Sequence, residues 1–188
     1  MIEEYNPEWY EEHYFTRYPY RPYYTSGEDI PIGDGRFKVL KDRLNPKSVL
    51  DVGCAYGLMV RLCLENGIPA MGTDVSRWCE KQAETIIPGH FVRGNAWDLP
   101  FKDKEFDVIY CTGVLEHIPE NLIDKTFSEF IRVADRYFID VSFDCAETAH
   151  HLCNHDFDWW FDKCPPNTWL SRISNLIEAG DLAFKGEE

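Results

Sequence analysis

The stretch SVLDVGCAYG, residues 48–57, decides the fold of this chain. An apolar run reaches a carboxylate, Asp51, opens into a turn of small residues, and becomes helical in pattern after Gly57. Seventeen positions after that glycine, Asp74 ends a second apolar run. In a parallel sheet, such a turn brings backbone N–H groups to a ligand, and the acid of the next strand can hold a ribose diol. The pattern therefore predicts a nucleotide-binding pocket.

The turn differs from the dinucleotide fingerprint. GxGxxG would place glycines at 53, 55 and 58, where this chain has Gly53, Ala55 and Leu58. Asp51, just before the turn, would repel a pyrophosphate but could pair with an ammonium group. A ligand with a ribose diol, an adenine and an amino-acid head, such as S-adenosylmethionine, fits these charges better than NAD.

Four motifs recur in the order and spacing of one known family. They are VLDVGCAYG at 49–57, GTDVS at 72–76, GNAWDLPF at 94–101 and FDVIYCTGVLEHIP at 106–119. Through them the chain resembles class I S-adenosylmethionine-dependent methyltransferases, especially their small-molecule branch, over residues 37–143. The resemblance implies S-adenosylmethionine as cofactor and methyl transfer as the reaction.

The resemblance also implies roles for the matching positions. The turn would lie beside the methionine moiety, with Asp51 toward its ammonium group, and Asp74 would take the ribose hydroxyls. Ala55 departs from the family, which commonly has glycine there, and Asn95 replaces a frequent aspartate near the adenine. The implied cofactor-binding residues are Asp51, Gly53, Cys54, Ala55, Tyr56, Gly57, Asp74, Val75, Asn95, Ala96, Trp97, Thr112 and Gly113.

An oxygen acceptor needs a general base of near-neutral pKa, and histidine is the usual choice. His117 belongs to the LEH signature at the expected end of the fourth strand, where a structural hydrogen bond is the alternative role. A second source is the histidine-rich segment after the fifth strand, a common place for acceptor-binding residues. The catalytic candidates are therefore His117, His150 and His151.

The same segment raises the question of a metal. It contains His150, His151, Cys153 and His155, and Cys164 follows. Their spacing does not match the familiar zinc patterns CxxC and HxxxH. From the spacing we expect no metal.

Alternating apolar runs and helical patterns predict an α/β fold: a Rossmann-like, doubly wound, mainly parallel sheet with helices on both faces. The C-terminal hairpin of the sheet is expected to be shortened or incomplete, because NTWLSRISNLIEAG at 167–180 has a helical pattern and leaves one strand at 181–187. The other predicted strands are 48–53, 69–74, 90–94, 106–111 and 136–142, and the other helices 36–44, 57–67, 76–87 and 120–134.

One domain is expected for 188 residues. Residues 1–36 hold seven of the ten tyrosines, with a short helix predicted from Asn6 through Phe15. These rings either cover one face of the core or form a lid over the cofactor and acceptor. Residues 37–143 form the cofactor-binding core, and 144–188 the acceptor-side segment.

The balance of 19 basic and 33 acidic residues gives a formal charge of −14, which argues against nucleic acid or an anionic membrane as partner. The first residues are acidic and aromatic, unlike a secretory signal, and no apolar run approaches the ~20 residues that span a bilayer. Seven scattered cysteines indicate reduced thiols and a cytoplasmic protein.

These observations favour methylation of a small polar acceptor, most specifically a sugar or metabolite hydroxyl. HDFDWW at 155–160 resembles a segment of sugar-modifying relatives. Two alternatives stay open: N-methylation of a small amine, and a cofactor-binding regulatory or assembly protein without methyl transfer.

Overall fold

The computed structural model describes residues 5–16, 36–142, 150–172 and 182–186. Some sequence predictions lie outside these ranges. They concern Cys145, the end of the predicted helix at 173–180, and Tyr18, Tyr20, Tyr23 and Tyr24.

Within these ranges, seven strands form one sheet in the order β3-β2-β1-β4-β5-β6-β7. The first six run parallel, and β7 pairs antiparallel with β6 at the edge. The strands are β1 Val49–Val52, β2 Ala70–Asp74, β3 Phe91–Arg93, β4 Val108–Thr112, β5 Arg136–Val141, β6 Thr168–Arg172 and β7 Leu182–Lys185. The carboxyl ends of β1, β2 and β4 therefore meet at one edge of the sheet, where a doubly wound fold binds its ligands.

Helices connect the strands and precede the first of them. They are α1 Glu12–Thr16, α2 Arg36–Val39, α3 Leu58–Glu65, α4 Arg77–Ile86, α5 Glu120–Val133 and α6 Phe157–Lys163. A π-helical turn, Leu40–Leu44, continues α2, and short 3-10 turns form at Pro7–Tyr10 and Leu115–His117. Ser76 caps α4 through its hydroxyl, which accepts from the Cys79 amide at 3.1 Å.

Alternate residues of the central strands pack into two separate cores, one on each face of the sheet. Leu50 and Val52 of β1 join one core with residues of α5 such as Phe127, whereas Val49 joins the other with residues of α3 such as Val60. Helices therefore cover both faces, as the sequence predicted, and the Rossmann-like fold class is confirmed.

The C-terminal part corrects one prediction. Residues 168–172, predicted as the start of a helix, form β6, so the sheet has two strands after β5 rather than one. Thr168, Leu170 and Ser171 are buried there, and Trp169 contacts Phe184 of β7 at a ring distance of 4.9 Å. A strand between two partners buries this segment on both sides, and that packing outweighs its helical pattern.

No helix within the described ranges is long and apolar enough to cross a membrane. The six cysteines in those ranges are all free and buried.

Candidate active site

A cavity of about 370 Å³ opens at the carboxyl ends of β1, β2 and β4. The described N-terminal residues contribute the side of the cavity opposite the sheet, through Tyr5, Tyr10, Tyr14 and Phe15. Ten residues predicted from the sequence line it: Gly53, Ala55, Asp74, Val75, Ala96, Trp97, Thr112, Gly113, His117 and His151.

The turn after β1 is held in a conformation that favours small residues. Gly53 and Gly57 have φ values of 75° and 86°, and Ala55 has 48°. A Cβ atom on Gly53 would lie 2.2 Å from Cγ2 of Val114, which is far inside contact distance. Backbone in the left-handed region and this close approach both require glycine at 53.

Asp74 connects this turn with the start of α4. Its Oδ2 accepts from the Ala55 amide and its Oδ1 from the Ser76 amide, each at 3.0 Å. Burial raises the pKa of Asp74 to about 6, although these backbone hydrogen bonds act in the opposite direction. A carboxylate has about four acceptor positions, so both oxygens can still accept from a diol in the cavity.

Several predicted cofactor residues lie behind the cavity wall. Asp51 is 4% exposed and is absent from the lining, and its pKa is raised well above the usual range by burial and by the charge of Asp74. The other predicted residues that do not line the cavity are Cys54, Tyr56, Gly57 and Asn95. Cys54 fills the space beside Gly72 of β2, and Tyr56 packs against Phe15 and Trp78, so both support the turn from behind.

Trp97 forms another part of the cavity with Ala96. The ring of Tyr5 meets Trp97 edge-on at 5.0 Å, so the N-terminal segment reaches this wall directly. Burial, with a smaller contribution from the charge of Asp74, raises the pKa of Tyr5 from its ordinary value to about 12.

The end of the cavity beyond β4 gathers three groups, which we call the acceptor-end cluster: Glu116, His117 and His151. One possible ligand atom of each lies within 4.8 Å of those of the other two. Glu116 is 1% exposed, and burial raises its pKa to about 8. Its Oε1 accepts from the Ser142 amide at 3.1 Å, while its Oε2 is buried and has no hydrogen-bond partner within the described ranges.

His117 is held from two sides. Its Nδ1 lies 3.3 Å from the carbonyl oxygen of His150, and its Nε2 lies 3.5 Å from the hydroxyl of Tyr14. Since a carbonyl only accepts, the contact on Nδ1 favours the tautomer with the proton on Nδ1 and the lone pair on Nε2. The ring of His151 meets that of His117 edge-on at 4.8 Å.

The remaining histidines and cysteines of the acceptor-side segment lie apart from this cluster. The His150 ring stacks on Trp9 at 4.5 Å, and its backbone carbonyl lies 3.3 Å from Nδ1 of His117. His155 stacks on Trp159 at 3.8 Å and pairs with Glu120. Cys153 and Cys164 are buried in the core that contains α5. Of the five residues weighed for a metal, only His151 stands in the acceptor-end cluster, beside Glu116 and His117.

Sequence reasoning did not assign a role to Glu11, which fastens the N-terminal segment to the core. Its two carboxylate oxygens accept from the amides of Arg77 and Trp78, the first residues of α4, at 3.1 and 2.9 Å. Such a cap matches the positive end of the helix dipole. No local pattern signals it, because the partners are 66 and 67 positions away.

The profile of a family described as a methyltransferase domain matches residues 31–175. The chain belongs to this methyltransferase-domain family. The match spans the whole parallel part of the sheet and the acceptor-end cluster, so both ends of the cavity lie within the region that defines the family.

Curated relatives resemble part of the chain. A norajmaline N-methyltransferase of Rauvolfia serpentina is 33% identical over 97 residues, which are 47% of this chain and 32% of that protein. A tRNA U34 carboxymethyltransferase of Nautilia profundicola is 35% identical over 95 residues, 45% of this chain and 31% of that protein. The chain thus spans about a third of the length of these relatives.

Solved structures share the fold. A protein of Pyrococcus horikoshii matches with a TM-score of 0.54 and 24% identity over 66% of this chain and 61% of its own. The YcgJ protein of Bacillus subtilis matches with a TM-score of 0.52 and 16% identity over 68% of this chain and 64% of its own. At these identities the likeness supports the Rossmann-like architecture alone.

Proposed function

We propose that this protein is an S-adenosylmethionine-dependent methyltransferase that methylates a hydroxyl group of a small polar molecule, such as a sugar or another metabolite. One observation carries the proposal: a single cavity joins the turn after β1 and the carboxylate of Asp74 to a cluster of one carboxyl and two imidazole groups. Cofactor and acceptor could therefore meet in one enclosed space.

The cavity residues fit the cofactor in size and charge. About 370 Å³ is within the usual range for a small-molecule site, roughly 300–1,000 Å³. Among the described lining residues, Asp74 and Glu116 are acidic and none is lysine or arginine. This wall favours a ligand that carries ammonium and sulfonium charges, and it disfavours the pyrophosphate of NAD.

Bound S-adenosylmethionine supplies a methyl group on a positively charged sulfur, which is a good leaving group. The protein must hold the acceptor oxygen in line with that methyl and keep water away. Thr112 and Gly113, at the end of β4, and the tyrosines of the N-terminal segment surround the space where this alignment would occur. We therefore interpret the N-terminal segment as a lid, rather than only a cover for the core.

His117 and His151 are proposed to activate the acceptor hydroxyl. Both line the cavity, and the backbone carbonyl of His150 holds one nitrogen of His117, which leaves the other toward the hydroxyl of Tyr14. His150 contributes through its carbonyl rather than its ring, so its proposed role is positioning. Deprotonation by an oriented imidazole typically accelerates such a reaction by roughly 10²–10⁴-fold.

A small amine is the second candidate acceptor. The acidic cavity wall would attract a protonated amine, and one relative is by its name an N-methyltransferase. A neutral amine is already a nucleophile and needs no base, whereas a hydroxyl does. The two imidazoles in the cavity therefore favour a hydroxyl acceptor. The charge of −14 argues against nucleic acid, despite the tRNA-modifying relative, and the buried free thiols favour the cytoplasm.

The test is calorimetry of the whole chain with S-adenosylmethionine, S-adenosylhomocysteine and NAD, followed by measurement of S-adenosylhomocysteine formed with panels of sugars, small alcohols and amines. We expect micromolar binding of the first two ligands, weak or absent binding of NAD, and turnover with a hydroxyl acceptor. Absence of binding would overturn the cofactor assignment. Binding without turnover across the panels would favour a regulatory or assembly protein, and turnover with amines alone would favour the second candidate.

A further inference from the structure

We propose that Glu116, His117 and His151 form a binding site for a divalent first-row metal ion, of which Zn²⁺ is the leading candidate. The inference deepens the proposed function and rests on it, because this site would be the place where the acceptor hydroxyl binds. These ligands differ from the set weighed by spacing in the sequence: they come from the turn after β4 and from the segment after β5, which only the fold brings together.

The three side chains already approach the geometry of a metal site. Their candidate ligand atoms lie within 4.8 Å of one another. Bonds of about 2.1 Å from zinc to nitrogen and oxygen put the ligands of a tetrahedral site roughly 3.4 Å apart. Movements of about 1 Å at the ends of these side chains would therefore close the site around an ion.

Glu116 provides an independent sign that a cation belongs here. Its Oε2 is buried and accepts no hydrogen bond from the described residues, although its Oε1 is fixed by the Ser142 amide. A buried carboxylate oxygen without a donor is costly, and a metal ion would supply the missing partner. The backbone carbonyl of Glu116 accepts from the amides of Leu152 and Cys153, which holds the segment of His151 against the turn.

The contact behind His117 is the kind that orients a metal ligand. Metal-binding histidines usually donate their second ring N–H to a carbonyl or a carboxylate, which fixes the tautomer and the ring. The His150 carbonyl, 3.3 Å from Nδ1, occupies this place. The ligand atom would then be Nε2, which an ion would share with or take over from the Tyr14 hydroxyl 3.5 Å away.

The donor set distinguishes a metal from the other cations that an acidic cavity attracts. Two imidazoles and one carboxylate are the ligands of several catalytic zinc sites, and imidazole favours zinc and its neighbours over Mg²⁺. A protonated amine would be attracted by Glu116 but has no need for two imidazoles. Three protein ligands also leave a coordination position open for a substrate oxygen.

Such an ion would specify how the hydroxyl is activated. An acceptor hydroxyl held at the open position would have its pKa lowered by the cation, so that it could release its proton to solvent water. Its oxygen would then form a bond to the methyl carbon as the bond from that carbon to sulfur breaks, with the electron pair left on sulfur. The products would be the methyl ether and neutral S-adenosylhomocysteine. With the ion bound, His117 and His151 would act on the hydroxyl through the metal, and this would replace the direct proton transfer to imidazole proposed for the metal-free site.

The experiment uses the full chain, freed of metal by a chelator and titrated with Zn²⁺ and Co²⁺, with Mg²⁺ for comparison. Calorimetry gives affinity, and the visible absorption of Co²⁺ reports nitrogen and oxygen coordination without any activity assay. We expect one Zn²⁺ per chain and no comparable binding of Mg²⁺. His151→Ala and Glu116→Gln should each weaken Zn²⁺ binding at least about 10-fold.

His155→Ala is the matched control, because His155 lies on the same segment but stacks on Trp159 outside the cavity. It should bind Zn²⁺ like the wild type. Circular dichroism and the midpoint of thermal unfolding check that each variant is folded, and His151→Gln replaces His151→Ala if the alanine variant fails this check.

Absence of Zn²⁺ binding by the wild type overturns the proposal, as does binding that the substitutions at 151 and 116 leave unchanged, since the ion would then lie elsewhere. In either case, intact S-adenosylmethionine binding and turnover would leave the proposed function standing. Zn²⁺ binding at the cluster without S-adenosylmethionine binding would support the metal site and overturn the proposed function.

Discussion

The two ends of the cavity are built in different ways. The cofactor end comes from backbone turns at neighbouring strand ends, and its key hydrogen bond joins Ala55 and Asp74, 19 positions apart. The acceptor end comes from side chains of three distant segments: Tyr14 meets His117 across 103 positions, and the carbonyl of His150 meets it across 33. Substitutions that disturb the backbone should therefore damage the cofactor end, whereas substitutions of side chains can change the chemistry of the acceptor end without altering its backbone.

The strongest test of this contrast is Gly53→Ala, which adds one methyl group to the cofactor end. The new Cβ would clash with Val114 at 2.2 Å, and φ at 53 is 75°. We expect a loss on the order of 4 kcal/mol, divided between the free energy of unfolding and S-adenosylmethionine binding. Chemical denaturation and calorimetry measure the two parts.

Gly67→Ala is the control for backbone strain alone, because Gly67 has φ of 74° and no atom lies within 4 Å of the position that its new methyl group would take. It should cost about 1 kcal/mol in stability and leave cofactor binding intact. Equal effects of the two substitutions would contradict the assigned role of the contact between Gly53 and Val114.

At the acceptor end, His117→Ala should slow methyl transfer and leave the affinity for S-adenosylmethionine almost unchanged. We expect kcat to fall at least about 100-fold, equivalent to roughly 3 kcal/mol, with S-adenosylmethionine affinity within about 3-fold of the wild type. Steady-state kinetics with the acceptor found in the panels, together with calorimetry, measure both quantities. If cofactor affinity fell as much as kcat, the two ends would not be separable.

At the cofactor end, Asp74 should make the stability of the folded protein depend on pH. Its pKa is raised from 3.8 to about 6 in the folded protein, so the folded state binds the proton more tightly than the unfolded state. Its contribution to stability is therefore fully present below the unfolded pKa and is lost as pH rises through 6. In cofactor-free protein, Asp74→Asn should remove a decline on the order of 2 kcal/mol between about pH 4 and 7.

Urea denaturation across this pH range measures the effect, and Asp98→Asn, at an exposed aspartate, is the matched control. The charge of Asp74 also raises the pKa of Asp51, so the difference between the two variants includes the loss of this interaction as well as the titration of Asp74 itself. A wild-type decline that persists in Asp74→Asn would assign it to another group.

The smallest expected effect concerns Glu11, which attaches the N-terminal segment to the start of α4. Glu11→Gln keeps one acceptor oxygen but removes the charge and the second acceptor at the start of α4. We expect S-adenosylmethionine binding to weaken by about 1 kcal/mol, or roughly 5-fold, if the segment acts as a lid. Glu12→Gln, at an exposed neighbour, should have no effect, and equal affinities of the two variants would argue that the segment only covers the core.

The same contrast explains what the sequence could predict. The cofactor turn, Asp74 and six of the seven strands in the described ranges follow from local patterns, since a turn and its strand are contiguous in the chain. Asp51 was expected in the cavity because of its position in the motif, but its depth behind the wall depends on how the chain packs above it. The strand at 168–172 was missed because its burial between β5 and β7 is a tertiary property. Glu116 belongs to the motif FDVIYCTGVLEHIP, but only the fold brings it beside His151.

The carboxylate of Glu11 has a consequence for how the cavity exchanges its contents. The amides that it caps belong to Arg77 and Trp78, three and four residues after Asp74, so the covering segment is anchored to the strand-to-helix turn that holds the proposed diol-binding acid. The segment cannot lift from this turn without uncapping the helix. Under conditions where chemical exchange is faster than reclosing, deuterium uptake at these two backbone positions would report the rate at which the segment departs, and that rate would set an upper limit on how fast spent cofactor leaves by this route.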